Sequence, residues 1–219
     1  MKFRSVFDII GPVMVGPSSS HTAGAARIGR AARRLFGRLP AKVTIYLYGS
    51  FAETYKGHGT DIALVGGLLD FDTYDQRIVN SLTIAERSGV DLEFIEEKAV
   101  PDHPNTARLV LEDGEDQLDI VGCSIGGGKI EIVELNGFEL RTSGNYPTTF
   151  IGHRDQYGAV ATVASILAKY EINISHMEVS RSDKGRQALM VIETDQTISD
   201  DVIDDIKQRP NMINVATMD

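Results

Sequence analysis

Cysteine is almost missing from this chain: its 219 residues hold one, Cys123. An internal disulfide is therefore excluded, which suits a reducing cytoplasm. A single thiol also falls short of the three or four thiolates that an iron–sulfur cluster normally takes. No run approaches the roughly 18 consecutive apolar residues of a membrane-spanning helix, so no membrane partner is expected. Residues 1–8 lack the apolar core of a secretory signal. Aromatics interleaved with basic residues are absent too, and the net charge is −9, which argues against nucleic acid as a partner.

What is present is ordinary globular usage, 42% hydrophobic and 24% charged. The length accommodates one large or two modest domains. The charge is uneven: residues 1–40 carry seven Lys/Arg against one Asp, a net +6, which leaves −15 for the rest. Most of that basic charge is an arginine face on one helix, formed by Arg27, Arg30, Arg33, Arg34 and Arg38. It reads either as a solvated face or as a docking surface for an acidic partner.

The most unusual stretch is Gly-Pro-Ser-Ser-Ser-His-Thr-Ala-Gly-Ala at 16–25. Behind it Ala25, Ile28, Ala31, Ala32, Leu35 and Phe36 recur at helical spacing. That spacing predicts a helix from Thr22, with Gly37 as its stop. Ser18, Ser19 and Ser20 each suit an N-cap. The positive end of the helix, with its orphan N–H groups, favours a carboxylate or phosphate. His21 adds a group that moves protons near neutral pH. The alternative is a plain helix cap beside a surface histidine.

Pro40 breaks the pattern, and residues 41–50 alternate as a strand. A second cluster, Lys56, His58, Thr60 and Asp61, gathers around Gly57 and Gly59 at the entrance to an apolar helical run at 62–69. The glycines permit a backbone close to a ligand, and Asp61 suits orienting His58 or capping the helix. A simple glycine-rich turn is the other reading. An amphipathic helix is predicted at 76–90 and a strand at 90–98. At 100–106 two prolines make a rigid turn that holds an imidazole, His103, and an amide, Asn105, on either side of Pro104. Strands at 107–112 and 118–124 turn at Asp113-Gly114, and the second runs into Gly126, Gly127 and Gly128. Those glycines either present N–H groups to an anion or relieve a crowded bend.

A further strand pair is expected at 130–138. The polar stretch 139–147 marks a boundary between domains at 1–140 and 148–219. The second part reads as strand 148–152, helix 158–170, strand 173–181, strand 188–194 after a turn at Asp183-Lys184-Gly185, helix 199–208 and strand 212–218. That is βαββαβ, the ferredoxin-like arrangement. The fold class is α+β, a mixed α/β domain followed by a ferredoxin-like one.

The segment Gly-His-Arg-Asp-Gln-Tyr-Gly-Ala-Val at 152–160, with Ile172-Asn173-Ile174, resembles an ACT domain. Such modules bind amino acids, usually at a dimer interface, so the resemblance implies effector contacts at His153, Asp155, Gly158 and Asn173 and self-association through this domain. Tyr157 stands where the common pattern has Pro. The physical logic runs parallel: a helix N-terminus at Gly158 suits a carboxylate, while Asp155 suits an ammonium.

Across essentially the whole chain, four motifs in order resemble the β chain of the bacterial iron–sulfur-dependent L-serine dehydratases. They are Gly-Pro-Ser-Ser-Ser-His-Thr at 16–22, Lys-Gly-His-Gly-Thr-Asp at 56–61, His-Pro-Asn-Thr at 103–106 and the glycines at 126–128. In the two-chain form of that family the other, α, chain carries the cysteines and a [4Fe–4S] cluster, which the single Cys123 fits. Residues 1–140 would then be the substrate-binding-type domain also found in some 3-phosphoglycerate dehydrogenases.

The implied reaction converts L-serine to pyruvate and ammonia, with a cluster iron of the partner chain acting as Lewis acid. This chain is expected to hold no metal itself, apart from a monovalent cation at the ACT domain. The resemblance implies proton-handling roles for His21, His58 and His103, with Asn105 as orienter. Ser18, Ser19, Ser20, Thr22, Lys56, Thr60, Gly126 and Gly127 would bind substrate. Which histidine is the base stays open. The competing class is an amino-acid-sensing module without chemistry of its own. A self-sufficient Ser–His hydrolase is disfavoured, since no G-x-S-x-G elbow is present.

Overall fold

The computed structural model describes residues 12–182 and 184–218. The reading of residues 1–8 and the placement of Asp183 in a turn lie outside them. Contacts divide the chain into two units, residues 1–136 and 137–219.

The first unit enters through a cap. Ser18 is extended (φ −138°, ψ 126°), and its Oγ accepts the N–H of His21 at 3.2 Å. That closes a short π-helical turn, Ser19–Ala23, ahead of α1, Gly24–Phe36. The expected start at Thr22 is thus moved two residues on. Gly37, left-handed at φ 81°, donates to the carbonyls of Arg33 and Arg34 and ends the helix as predicted.

Strand β1, Lys42–Tyr48, turns at Gly49 (φ 52°) directly into α2, Gly49–His58. Here the structure departs from the expected glycine-rich entry. Ala52, Glu53 and Lys56 favour helix, and Gly57 is one weak breaker near its end. Gly59 (φ 70°) separates α2 from α3, Thr60–Leu68. The segment read as one helix at 76–90 splits into a 3-10 turn, Gln76–Asn80, capped by Asp75, and α4, Ser81–Arg87. The remaining strands are β2, Asp91–Glu96; β3, Asn105–Asp113; β4, Asp116–Gly126; and β5, Lys129–Leu135. They lie in the order β2-β1-β3-β4-β5. The β1–β2 pair is parallel and the others are antiparallel.

α1 lies across one sheet face. A Cβ on Gly122 would come within 2.9 Å of the Ile28 side chain, and Val43, Ile45, Leu47, Leu109 and Ile120 bury the same face. α1 and α3 cross at backbone contact. A Cβ on Gly29 would lie 2.0 Å from the Leu64 carbonyl oxygen, and one on Gly67 would lie 2.0 Å from that of Ala26. The arginine face is tied down within the unit. Arg30 binds Asp70 and Asp72, Arg34 approaches Asp70, Arg38 binds Asp113 and Asp116, and Arg27 donates to the Gly128 carbonyl. Four of the five face arginines thus have partners within the unit, while the buried Arg33 Nε has none among the described residues.

The second unit begins at Gly137, just ahead of the polar stretch 139–147. β6, Phe138–Thr142, belongs to it through the Thr142 hydroxyl, which donates to Glu193 at 2.8 Å. There follow β7, Thr148–Arg154; α5, Ala159–Lys169; β8, Ile174–Arg181; β9, Gln187–Thr194; α6, Asp200–Lys207; and β10, Met212–Met218. The antiparallel order β10-β7-β9-β8 is the ferredoxin-like one. Ile151, Met190 and Ile192 of the sheet share a core with Val163 and Leu167 of α5 and with Val202 and Ile206 of α6. Among the described residues no helix is long and apolar enough to cross a membrane.

Candidate active site

The fold brings together side chains that are far apart in sequence. His21 leaves the π-helical turn with its Nδ1 at 3.3 Å from Ser18 Oγ and 3.2 Å from Ser20 Oγ. Its Nε2 lies 3.0 Å from Ser50 Oγ, at the first turn of α2. The His58 ring meets it edge-on, with centroids 4.9 Å apart, and the buried Phe51 ring does the same at 5.4 Å. Burial, and to a smaller extent the neighbouring His58, hold the His21 pKa below its ordinary value of 6.5. His21 is therefore neutral at pH 7, flanked by hydroxyls on both ring nitrogens. His58 is exposed, on the open side of the pair.

The His103–Asn105 turn reaches the same place through the backbone. The Pro104 carbonyl accepts the N–H of Ser50 at 2.8 Å, and Gly49 bridges to Asn105. A Cβ on Gly49 would lie 2.7 Å from the Pro104 oxygen, so this corner admits only glycine. Inside the turn, the Asn105 N–H donates to His103 Nδ1 at 3.2 Å. Nδ1 accepts here, so the ring carries a proton on Nε2 and is a donor there. Thr106 donates to the His103 carbonyl and also contacts the buried Cys123 at 3.2 Å.

Among the described residues three buried side-chain oxygens are without a partner: Thr60 Oγ1, Asn105 Oδ1 and Ser124 Oγ. Asn105 and Ser124 flank the paired residues Thr106 and Cys123 on β3 and β4. Ser124 Oγ presses on α1 at Gly24, where a Cβ would lie 2.0 Å away.

Other expected site residues are placed differently. Thr22 is buried and spends its hydroxyl on the Ser18 backbone. Ser19 is half-buried in the π-helical turn. Lys56 is two residues from His58 on α2, about 200° around the helix, and its ammonium stands over the Tyr55 ring. Asp61 accepts the N–H of Ile62 rather than meeting His58. The glycine run forms a two-residue hairpin, with Gly127 and Gly128 at φ 62° and 74°. It packs beside the serine loop, since a Cβ on Gly128 would sit 3.4 Å from that of Ala23. Ser50 escaped the sequence reading. The signal was there: a strand ending in Gly49-Ser50 just before a helix-forming run.

In the second unit His153 is buried; its Nδ1–H donates to the Arg154 carbonyl, and Nε2 has no partner among the described residues. Asp155 accepts the N–H of Gly185 and faces Arg181 at 3.6 Å. Gly158 is left-handed (φ 84°) and precedes α5. Asn173 donates to Asp195, at the opposite end of β8. An eight-residue strand spans roughly 25 Å, so one chain does not bring Asn173 to His153 and Asp155. Among the described residues no group of three or more His, Cys, Asp or Glu side chains is placed to hold a metal ion.

A mixed α/β unit that gathers hydroxyls and imidazoles, followed by a ferredoxin-like unit, is the class of protein that this fold defines. The family description Serine dehydratase beta chain matches residues 5–87, and the ACT domain description matches residues 148–211. The chain belongs to the L-serine dehydratase beta chain family. It is 62% identical over 216 residues to the probable L-serine dehydratase, beta chain, of Bacillus subtilis (strain 168), covering 99% of this chain and 98% of that one. It is 37% identical to the L-serine dehydratase, beta chain, of Peptoniphilus asaccharolyticus, over 90% of this chain and 89% of that one. A D-3-phosphoglycerate dehydrogenase of Methanocaldococcus jannaschii is 29% identical over 64% of this chain and 26% of its own length.

Proposed function

We propose that this chain supplies the imidazole and hydroxyl half of an L-serine dehydratase active site, completed by a cysteine-bearing α chain. The observation that carries the reading is the convergence of His21, His58, Ser50 and the His103 turn from three separate stretches. A [4Fe–4S] cluster does not fit this chain. Its one thiol is buried against Thr106, so the cluster belongs to the proposed partner.

The overall change removes the α-proton of serine and expels its β-hydroxyl as water. The resulting aminoacrylate tautomerises and hydrolyses to pyruvate and ammonia. Each imidazole here suits a different part of that work. His58 is exposed and takes the role of base toward the α-carbon. His103 presents an Nε2–H donor. His21 stays neutral and organises the hydroxyls. Ser19 and Ser20 beside the N-terminal end of α1 suit the substrate carboxylate, and the unpartnered oxygens of Thr60 and Asn105 suit its donors.

Serine-dependent pyruvate formation, measured without oxygen for this chain alone and mixed with the α chain, is the test. Activity confined to the mixture supports the reading, and activity of this chain alone refutes the division of labour. The ACT unit favours a second role as an amino-acid sensor. Under it Asn173 reaches the His153 end from a second copy, and a monovalent cation is a further ligand to test. Loss of turnover in His58→Asn supports chemistry here. A changed effector response with normal turnover supports sensing alone.

A further inference from the structure

Ser50 has none of the ordinary reasons to be a serine. Tyr48, not Ser50, is the N-cap of α2, and no side chain caps that helix. Instead each polar group of Ser50 is committed to a different part of the unit. Its Oγ meets His21 Nε2 at 3.0 Å, its N–H donates to the Pro104 carbonyl at 2.8 Å, and its carbonyl accepts the Thr54 hydroxyl at 2.7 Å. The residue is half-buried, and its position is fixed from behind by the glycine-only corner at Gly49.

His21 in turn depends on it. Nδ1 is shared between two hydroxyls, Ser18 and Ser20, which are themselves 3.3 Å apart. Among the described residues Nε2 has a single hydroxyl in reach, that of Ser50. Removing it leaves a ring held on one side, free to tilt about Cβ–Cγ against Phe51 and His58.

We infer that Ser50 is a positioning residue of this active site: it holds the His21 ring in one orientation and ties it to the His103–Asn105 turn. The inference rests on the dehydratase reading for its kinetic consequence, but not for its structural one. A displaced His21 moves both the serine loop and the His58 face, and misplacement of about 1 Å costs up to about a hundredfold in rate.

The test uses Ser50→Ala and Ser50→Thr, the latter keeping the hydroxyl. In the complex with the α chain, Ser50→Ala is expected to lower kcat tenfold or more with a smaller change in KM, and Ser50→Thr to recover most of the loss. On this chain alone, ring-nitrogen NMR of its five histidines reads His21 directly, assigned by the signals that vanish in His21→Asn. Ser50→Ala is expected to shift the His21 nitrogens, and Ser50→Thr to restore them. Unmoved His21 nitrogens, or equal kinetic losses in both variants, would assign Ser50 to packing and overturn the inference. A wild-type mixture that makes no pyruvate refutes the dehydratase reading instead, and the spectra still decide on Ser50.

Discussion

His21 and His58 meet edge-on, with ring centroids 4.9 Å apart. Burial is the larger cause of the depressed His21 pKa and His58 the smaller. His58→Asn is therefore expected to raise the His21 pKa part of the way back towards 6.5, as read by NMR titration. A value unchanged or lower would refute the coupling. The sign for stability follows. Below 6.5 the unfolded chain binds a proton at His21 that the folded one refuses, so this site costs stability as pH falls through that window and none above it. Denaturant midpoints at pH 5.5 and 7.5 should converge partly in His58→Asn. At this scale the sequence was half legible. The histidines and serines announced themselves by type and crowding, whereas the pairing of Ser50 with His21 became visible only when the chain folded back across 29 positions.

Helices and strands in this chain were legible by period, and their contacts were not. Gly37, Gly59 and Gly89 punctuate helix ends, and all three adopt positive φ. Gly29 and Gly67 look identical in the sequence, yet they lie inside α1 and α3, where each meets a backbone carbonyl. Gly29→Ala or Gly67→Ala should force the helices apart and destabilise the unit by about 3 kcal/mol, overpacking without room to relax. Gly37→Ala, where nothing lies within 4 Å, should cost only about 1 kcal/mol of left-handed strain. Urea unfolding of the three variants separates packing from strain; equal losses would refute the distinction. Gly49→Ala combines both faults at the active-site corner. It should lose turnover more than tenfold while destabilising by about 4 kcal/mol; full activity would show the corner to be incidental. α2 was missed for a related reason. Its glycines suggested a loop, but the β1 corner and the His21 contact hold the helix in place despite Gly57.

Two units with separate cores make the chain divisible in its responses. Ile192 is fully buried in a cluster drawn wholly from the second unit. Ile192→Ala should lower that unit's stability by about 3 kcal/mol and leave the His21 ring-nitrogen signals in place; a shift of those signals would refute the separation. The ferredoxin-like half was the most legible part, because strand and helix periods follow one another with short turns. Its effector residues were less so, since Asn173 and Asp155 sit at opposite ends of a strand and spacing along the chain does not reveal which end a residue occupies. The buried thiol has a practical consequence for the molecule as a whole. Cys123 is 6% exposed and is the chain's single sulfhydryl, so a thiol reagent added to the native protein finds almost nothing to label. Each molecule that opens around β4 reports itself once, and the pace of labelling becomes a clock for that opening.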